Sequence, residues 1–101
     1  MKIGIAINNQ ELAHFCVRNH ITKLSFFGSV LRDDFNEQSD VDVLVEFKKG
    51  HVPGFFRLAE MEDELSAIMG GRRADIRTSE DLNRYFRNDV VENALVQYDA
   101  R

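Results

Sequence analysis

Asp40 and Asp42 stand two positions apart in the run Asp40-Val41-Asp42-Val43-Leu44-Val45-Glu46-Phe47. In an extended strand the side chains alternate between faces, so Val41, Val43, Val45 and Phe47 share one side while Asp40 and Asp42 share the other. Residues two apart on a strand have α-carbons about 6.6 Å apart, close enough for both carboxylates to serve one or two bound cations. Without a cation, two carboxylates drawn to about 4 Å repel by roughly 4 kcal/mol at an effective dielectric of 20. All-oxygen donors select a hard ion, and magnesium, which keeps its waters and shares ligands with phosphate oxygens, suits paired aspartates better than zinc. An Asp-x-Asp by itself is weak evidence, because most such tripeptides are solvated surface residues. Support comes from Gly28-Ser29, twelve positions upstream, where a glycine admits a close ligand and the following amides and hydroxyl can face phosphate. Asp75, in Arg73-Ala74-Asp75-Ile76-Arg77, is the third candidate acid; its alternative role is a solvent-facing ion pair with Arg73 or Arg77.

The elements that must position these residues are readable from periodicity. Asn8, Asn9 and Gln10 offer helix starts, and Leu12, Phe15 and Cys16 follow at helical spacing, which predicts a first helix over about residues 9–20. TKLSFFG predicts a strand over 22–28 and DVDVLVEF a second over 40–47. Phe55, Leu58, Met61, Leu65 and Met69 form a core-facing helical stripe that ends at Gly70-Gly71. RRADIRT is a short third strand. Ser79 caps a segment bearing Leu82, Tyr85 and Phe86, and Asn88 caps a last helix bearing Val91, Leu95 and Tyr98. The expected architecture is one small α/β domain over residues 1–101, a mixed sheet with helices packed mainly on one face and the other face free to stay open.

Composition narrows the function classes. The 101 residues carry 13 basic and 17 acidic side chains, a net charge of −4, which argues against a protein that holds nucleic acid by covering phosphates. The charge is uneven: residues 1–32 hold four bases against one acid, whereas residues 33–47 hold six acids and no base. For Asp33, Asp34 and Glu37 a solvated loop accounts for this. No apolar run approaches the roughly 20 residues of a membrane span, and the opening MKIGIAINNQ lacks the features of an export signal. With a single cysteine, Cys16, a cytoplasmic location is expected. Leu44 stands where an EF-hand would need an oxygen ligand, and no Walker lysine follows Gly28-Ser29. His14, His20 and His51 are scattered without zinc spacing, and Cys16 fits as a packing residue.

Gly28-Ser29, ten residues, then Asp40-x-Asp42 resembles the signature of the DNA polymerase β-like nucleotidyltransferase superfamily. The chain is similar over about residues 10–98 to the minimal nucleotidyltransferases, commonly MntA-type antitoxins paired with HEPN-domain ribonuclease toxins. The resemblance implies that Asp40, Asp42 and Asp75 hold one or two magnesium ions, with Asp75 as general base or third ligand. It implies that Gly28 and Ser29 seat the phosphates of ATP, and that Arg32, or Arg72 and Arg73, neutralises the leaving phosphates. The implied reaction moves AMP from ATP to a partner toxin's hydroxyl, typically a tyrosine; a non-catalytic antitoxin that masks its partner by binding is the alternative. Direct nucleic-acid or membrane partners are not expected. The reading requires the three acids to meet at a common point beside the glycine turn, and the helix bearing Val91, Leu95 and Tyr98 could add an apolar docking surface.

Overall fold

Alternating valines decide the middle of the molecule. Val41, Val43 and Val45 are almost completely excluded from solvent, and burying one face of a strand fixes its register, since a one-residue slip would turn all three outward. The computed structural model describes residues 7–28, 39–78 and 95–100. Its elements in chain order are α1 (Asn9–Arg18), β1 (Ile21–Phe27), β2 (Val41–Phe47), α2 (Phe55–Ile68), β3 (Ala74–Thr78) and β4 (Leu95–Asp99). The sheet order is β3-β2-β1-β4, with β2 and β3 parallel and the other two pairs antiparallel. Ser29, Arg32, the acids at 33, 34 and 37, and the segment from Ser79 through Val91 lie outside the described residues.

Asn8 starts α1 by accepting the amide hydrogens of Gln10 (2.9 Å) and Glu11 (3.1 Å) on its side-chain oxygen, a cap worth about 1 kcal/mol. Leu12, Phe15 and Cys16 of that helix meet Met61 and Leu65 of α2 and the inner residues Leu24, Phe26, Val43, Val45 and Ile76 in one apolar cluster. Gly70 and Gly71 follow α2 with φ of 73° and 92°, a backbone turn that side chains resist. Glu62 of α2 accepts the Ile76 amide hydrogen at 2.8 Å, which satisfies a donor on the outer edge of β3. No helix among the described residues is long and apolar enough to cross a membrane.

Three expectations are corrected. Leu95–Asp99 is a strand, not part of a last helix. Its i, i+3 apolar pair comes from a bulge: Leu24 faces Tyr98 and Ser25 faces Val96, so Gln97 is an extra residue that brings Leu95 and Tyr98 to the same, core-facing side. Phe55 does not belong to the buried stripe. It is 82% exposed while Met61, Leu65 and Met69 are buried, because α2 at about 21 Å outruns the roughly 16 Å of β3 beside it. The second sheet face is not open throughout, for Ser25, Phe27 and Leu44, which lie on it, are all buried.

Deleting Gln97 forces either Leu95 or Tyr98 off the core, and denaturant unfolding should show a loss of about 1–3 kcal/mol; an unchanged midpoint would contradict the bulge. Burial pushes the Cys16 thiol up from 9.0 to about 12. The native protein should therefore resist thiol reagents at pH 8 and react once unfolded. The raised value has a sign for stability: the folded state keeps its proton longer than the unfolded one, so this contribution is whole below pH 9 and is lost as pH climbs toward 12.

Candidate active site

The same valines that fill the core send Asp42 to the opposite face, and the parallel pairing then chooses its neighbour. Val41 aligns with Ala74 and Val43 with Ile76, all buried on the helix side, so Asp42 aligns with Asp75. Facing residues on adjacent strands lie about 4.8 Å apart. The alignment is electrostatically unfavourable in isolation, since like charges directly opposite one another destabilise a sheet. A shift of two residues would set Asp42 against Arg73 or Arg77 instead, but would bring Arg72 or Thr78 to the side where Ala74 and Ile76 are buried. The chain adopts the register that aligns the two aspartates.

On its other side Asp42 aligns with Phe27, the last residue of β1, and beside it the chain turns at Gly28 with φ of 64°. A Cβ at this position would run into the Asp42 carboxylate, with Cγ at 3.2 Å and Oδ2 closer still. Glycine is required here twice over, for the left-handed backbone and for the space that the carboxylate occupies. The first strand's end and the starts of the second and third thus come together at Gly28, Asp42 and Asp75.

Asp75 also takes up the alternative role expected of it. Its Oδ1 lies 3.3 Å from Arg77 Nε and its Oδ2 accepts a hydrogen bond from Arg77 Nη2 at 3.3 Å. Both side chains are about half exposed, and a pair so placed contributes on the order of 0.2–1 kcal/mol, little enough for a stronger partner to displace. Asp40 lies just before β2 and is exposed. Among the described residues no three His, Cys, Asp or Glu side chains are gathered into a ready metal cluster. Asp40 is a full strand repeat from Asp42, and Asp75 leans to Arg77. A paired, hard-oxygen donor set beside a side-chain-free glycine nevertheless fits magnesium, which is commonly held by one or two carboxylates and completed by water and phosphate oxygens.

Sequence reasoning missed one cluster. His20 and His51, far apart in the chain, stack with ring centroids 4.0 Å apart at the opposite end of β1 and β2. His20 has a positive φ of 58°, and its carbonyl accepts the Lys48 amide hydrogen at 2.7 Å, which draws the loop after β2 across the start of β1. Nearby, Arg57 donates to Asn19 and pairs with Glu60 (3.3 Å) and Glu64 (3.5 Å), and Arg18 pairs with Glu64 (2.8 Å). The positive φ was the hidden element, since no sequence pattern signals it in a histidine.

The Gly28 contact is testable by contrast with Gly50, which also has a left-handed backbone (φ of 82°) but nothing within 4 Å of an added Cβ. Gly50→Ala should lose about 1–2 kcal/mol for the backbone alone, and Gly28→Ala distinctly more, because the Asp42 carboxylate must also move. Equal losses in denaturant unfolding would mean that the contact is unimportant.

Comparison with known proteins shows the family to which this fold belongs. The family model described as a nucleotidyltransferase domain matches residues 10–96. A Methanocaldococcus jannaschii protein assigned as a protein adenylyltransferase is 28% identical over 76 residues, covering 75% of each chain. The protein adenylyltransferase MntA of Thermococcus cleftensis is 36% identical over 52 residues, 52% of this chain and 50% of that one. A solved structure assigned as a minimal nucleotidyltransferase superposes with a TM-score of 0.69 at 29% identity, covering 86% of both chains. A toxin–antitoxin solved with AMP-PNP superposes at 0.71 over 92% of this chain and 74% of that one, and at 15% identity that likeness shows the shared fold. A match that runs from the start of α1 into β4, and so includes Gly28, Asp42 and Asp75, shows that this chain belongs to the nucleotidyltransferase family.

Proposed function

We propose that the chain transfers AMP from ATP to a hydroxyl, typically of tyrosine, on a HEPN-type toxin encoded beside it, and so acts as that toxin's antitoxin. The observation that carries the reading is the alignment of Asp42 with Asp75 next to Gly28, in a register that a charge-optimising sheet would avoid. The relatives assigned as protein adenylyltransferases and the toxin–antitoxin structure solved with AMP-PNP support the same chemistry. Asp40 and Asp42 would hold magnesium, with Asp75 completing the ligand set or taking the proton. Bound there, the ion would supply positive charge to the phosphate oxygens and to the departing pyrophosphate.

Gly28 lets the triphosphate approach the backbone, and Ser29 contributes its amide and hydroxyl to the phosphates. Arg32, or Arg72 and Arg73, offsets charge on the leaving group. The acceptor oxygen attacks the α-phosphorus in line as the bond to pyrophosphate breaks, and the hydroxyl proton passes to Asp75 or to solvent. For Asp75 to accept it, the pair with Arg77 must open, which its modest strength permits. Arg77 then stands beside the site as a second positive charge.

One observation favours a second reading. An Asp75 held by Arg77 is also what an unused acid would look like, and a protein that neutralised its toxin by binding alone would keep that pair intact.

Mixing the protein with ATP, magnesium and the neighbouring gene's product, then weighing the product, separates the two readings. The expected result is a mass gain of one or more AMP units, abolished by Asp42→Asn and by chelation of the metal, with the variant still folded. A tight complex without any mass gain would support masking and overturn the transfer reading.

A further inference from the structure

β3 is an edge of the sheet, with β2 on one side and no strand on the other among the described residues. Its five residues carry Asp75, the acid aligned with Asp42. In a parallel pair alternate residues turn their amide and carbonyl groups toward the neighbouring strand, and the residues between them turn theirs away. The Arg73 carbonyl accepts the Val41 amide hydrogen at 2.8 Å, and Asp75, two residues on, faces β2 in the same way. Ile76 therefore turns its amide to the outer edge, where Glu62 of α2 accepts the hydrogen at 2.8 Å. One turn further along the same helix face, the Ser66 hydroxyl donates to the Arg72 carbonyl at 2.5 Å. Two ties thus run from α2 to the edge strand and its approach, and Asp75 lies between them.

We infer that Glu62 is a positioning residue for Asp75, acting through the peptide group that joins Asp75 to Ile76. The inference rests on the proposed reading in one respect, that Asp75 takes part in AMP transfer as base or ligand. A peptide group is planar, and this one has the Asp75 α-carbon at a corner. With its carbonyl turned to β2 and its amide hydrogen on Glu62, the plane is held at both edges. Without Glu62 it is held at one, and the strand regains freedom to twist about β2. The angle between neighbouring strands varies over about 25° among sheets. A tilt of about 15° at the α-carbon carries carboxylate oxygens about 3.5 Å away through about 1 Å, a displacement that can cost on the order of 100-fold in rate.

The Arg77 pair cannot set this position. It is half exposed, and it must open before Asp75 can serve the site. Asp42 stands on β2, an inner strand with neighbours on both sides, so its backbone is held by the sheet itself. Of the two aligned acids only Asp75 lies on an edge, and Glu62 acts at the peptide directly after it. The bond calls for an acceptor oxygen at the right reach and not for a charge. A glutamine can accept the same hydrogen, whereas an aspartate keeps the charge but draws its oxygens back by one carbon, and this separates positioning from an electrostatic effect.

The test compares wild type with Glu62→Ala, Glu62→Asp and Glu62→Gln, and with Gly50→Ala, which strains a left-handed turn after the far end of β2 and so shows what lost stability alone does. AMP transfer to the neighbouring gene's product gives kcat and KM, and hydrogen exchange at the Ile76 amide reports the clamp. Glu62→Ala and Glu62→Asp should lower kcat by about 10–100-fold with KM for ATP within about threefold, and should speed Ile76 exchange at least about tenfold. Glu62→Gln should stay within about threefold of wild type in both measurements, and Gly50→Ala should keep its kcat. If Glu62→Ala and Glu62→Asp transfer as fast as wild type, or if Glu62→Gln or Gly50→Ala falls as far as they do, the positioning role is overturned while the transfer reading stands. If wild type transfers nothing, the transfer reading falls and takes the role with it. Unchanged Ile76 exchange in Glu62→Ala overturns the clamp whether or not AMP is transferred.

Discussion

Two aspartates aligned across a parallel strand pair are the constraint around which the candidate site is arranged. The buried positions of Val43, Ala74 and Ile76 fix the register of β2 and β3, and that register sets Asp42 opposite Asp75. Glycine at the end of β1 admits the Asp42 carboxylate where any side chain would collide with it. A cation and a phosphate chain arriving there together would relieve the repulsion and fill the space left by the glycine.

The resting state need not display a finished metal site for this to hold. Magnesium takes part of its ligand shell from its substrate and from water, so two protein carboxylates and a nearby third are a sufficient protein contribution. The Asp75–Arg77 pair then acts as a temporary countercharge, weak because both groups are half exposed. Arg77 was foreseeable from the sequence as a neighbour two residues along the same face. That Asp75 could serve both as its partner and as the acid opposite Asp42 depends on strand pairing, which a single strand's pattern does not contain.

The legible parts of the fold were those in which local period and burial agree. DVDV on β2 alternates strictly, and its interior valines follow that alternation. Asn8 caps α1 through the side-chain oxygen that its residue type supplies. Where the backbone departs from a regular period the pattern misleads. Leu95 and Tyr98 imitate a helical repeat because Gln97 bulges out of β4, and Phe55 continues the stripe of α2 past the end of the sheet it was expected to cover. Within the candidate site, residue types pointed to Gly28, Asp42 and Asp75, whereas their mutual placement emerged only from the β1–β2–β3 register.

The central claim is that Gly28, Asp42 and Asp75 border one metal–nucleotide site, and paramagnetic broadening reads this directly. Manganese titrated with a non-hydrolysable ATP analogue into the isotopically labelled protein should first broaden the amide signals of these three residues, while those around His20 and His51 stay sharp. Broadening that begins elsewhere, such as along the acidic face of α2 at Glu62 and Asp63, or that is the same with Asp42→Asn, would contradict the account.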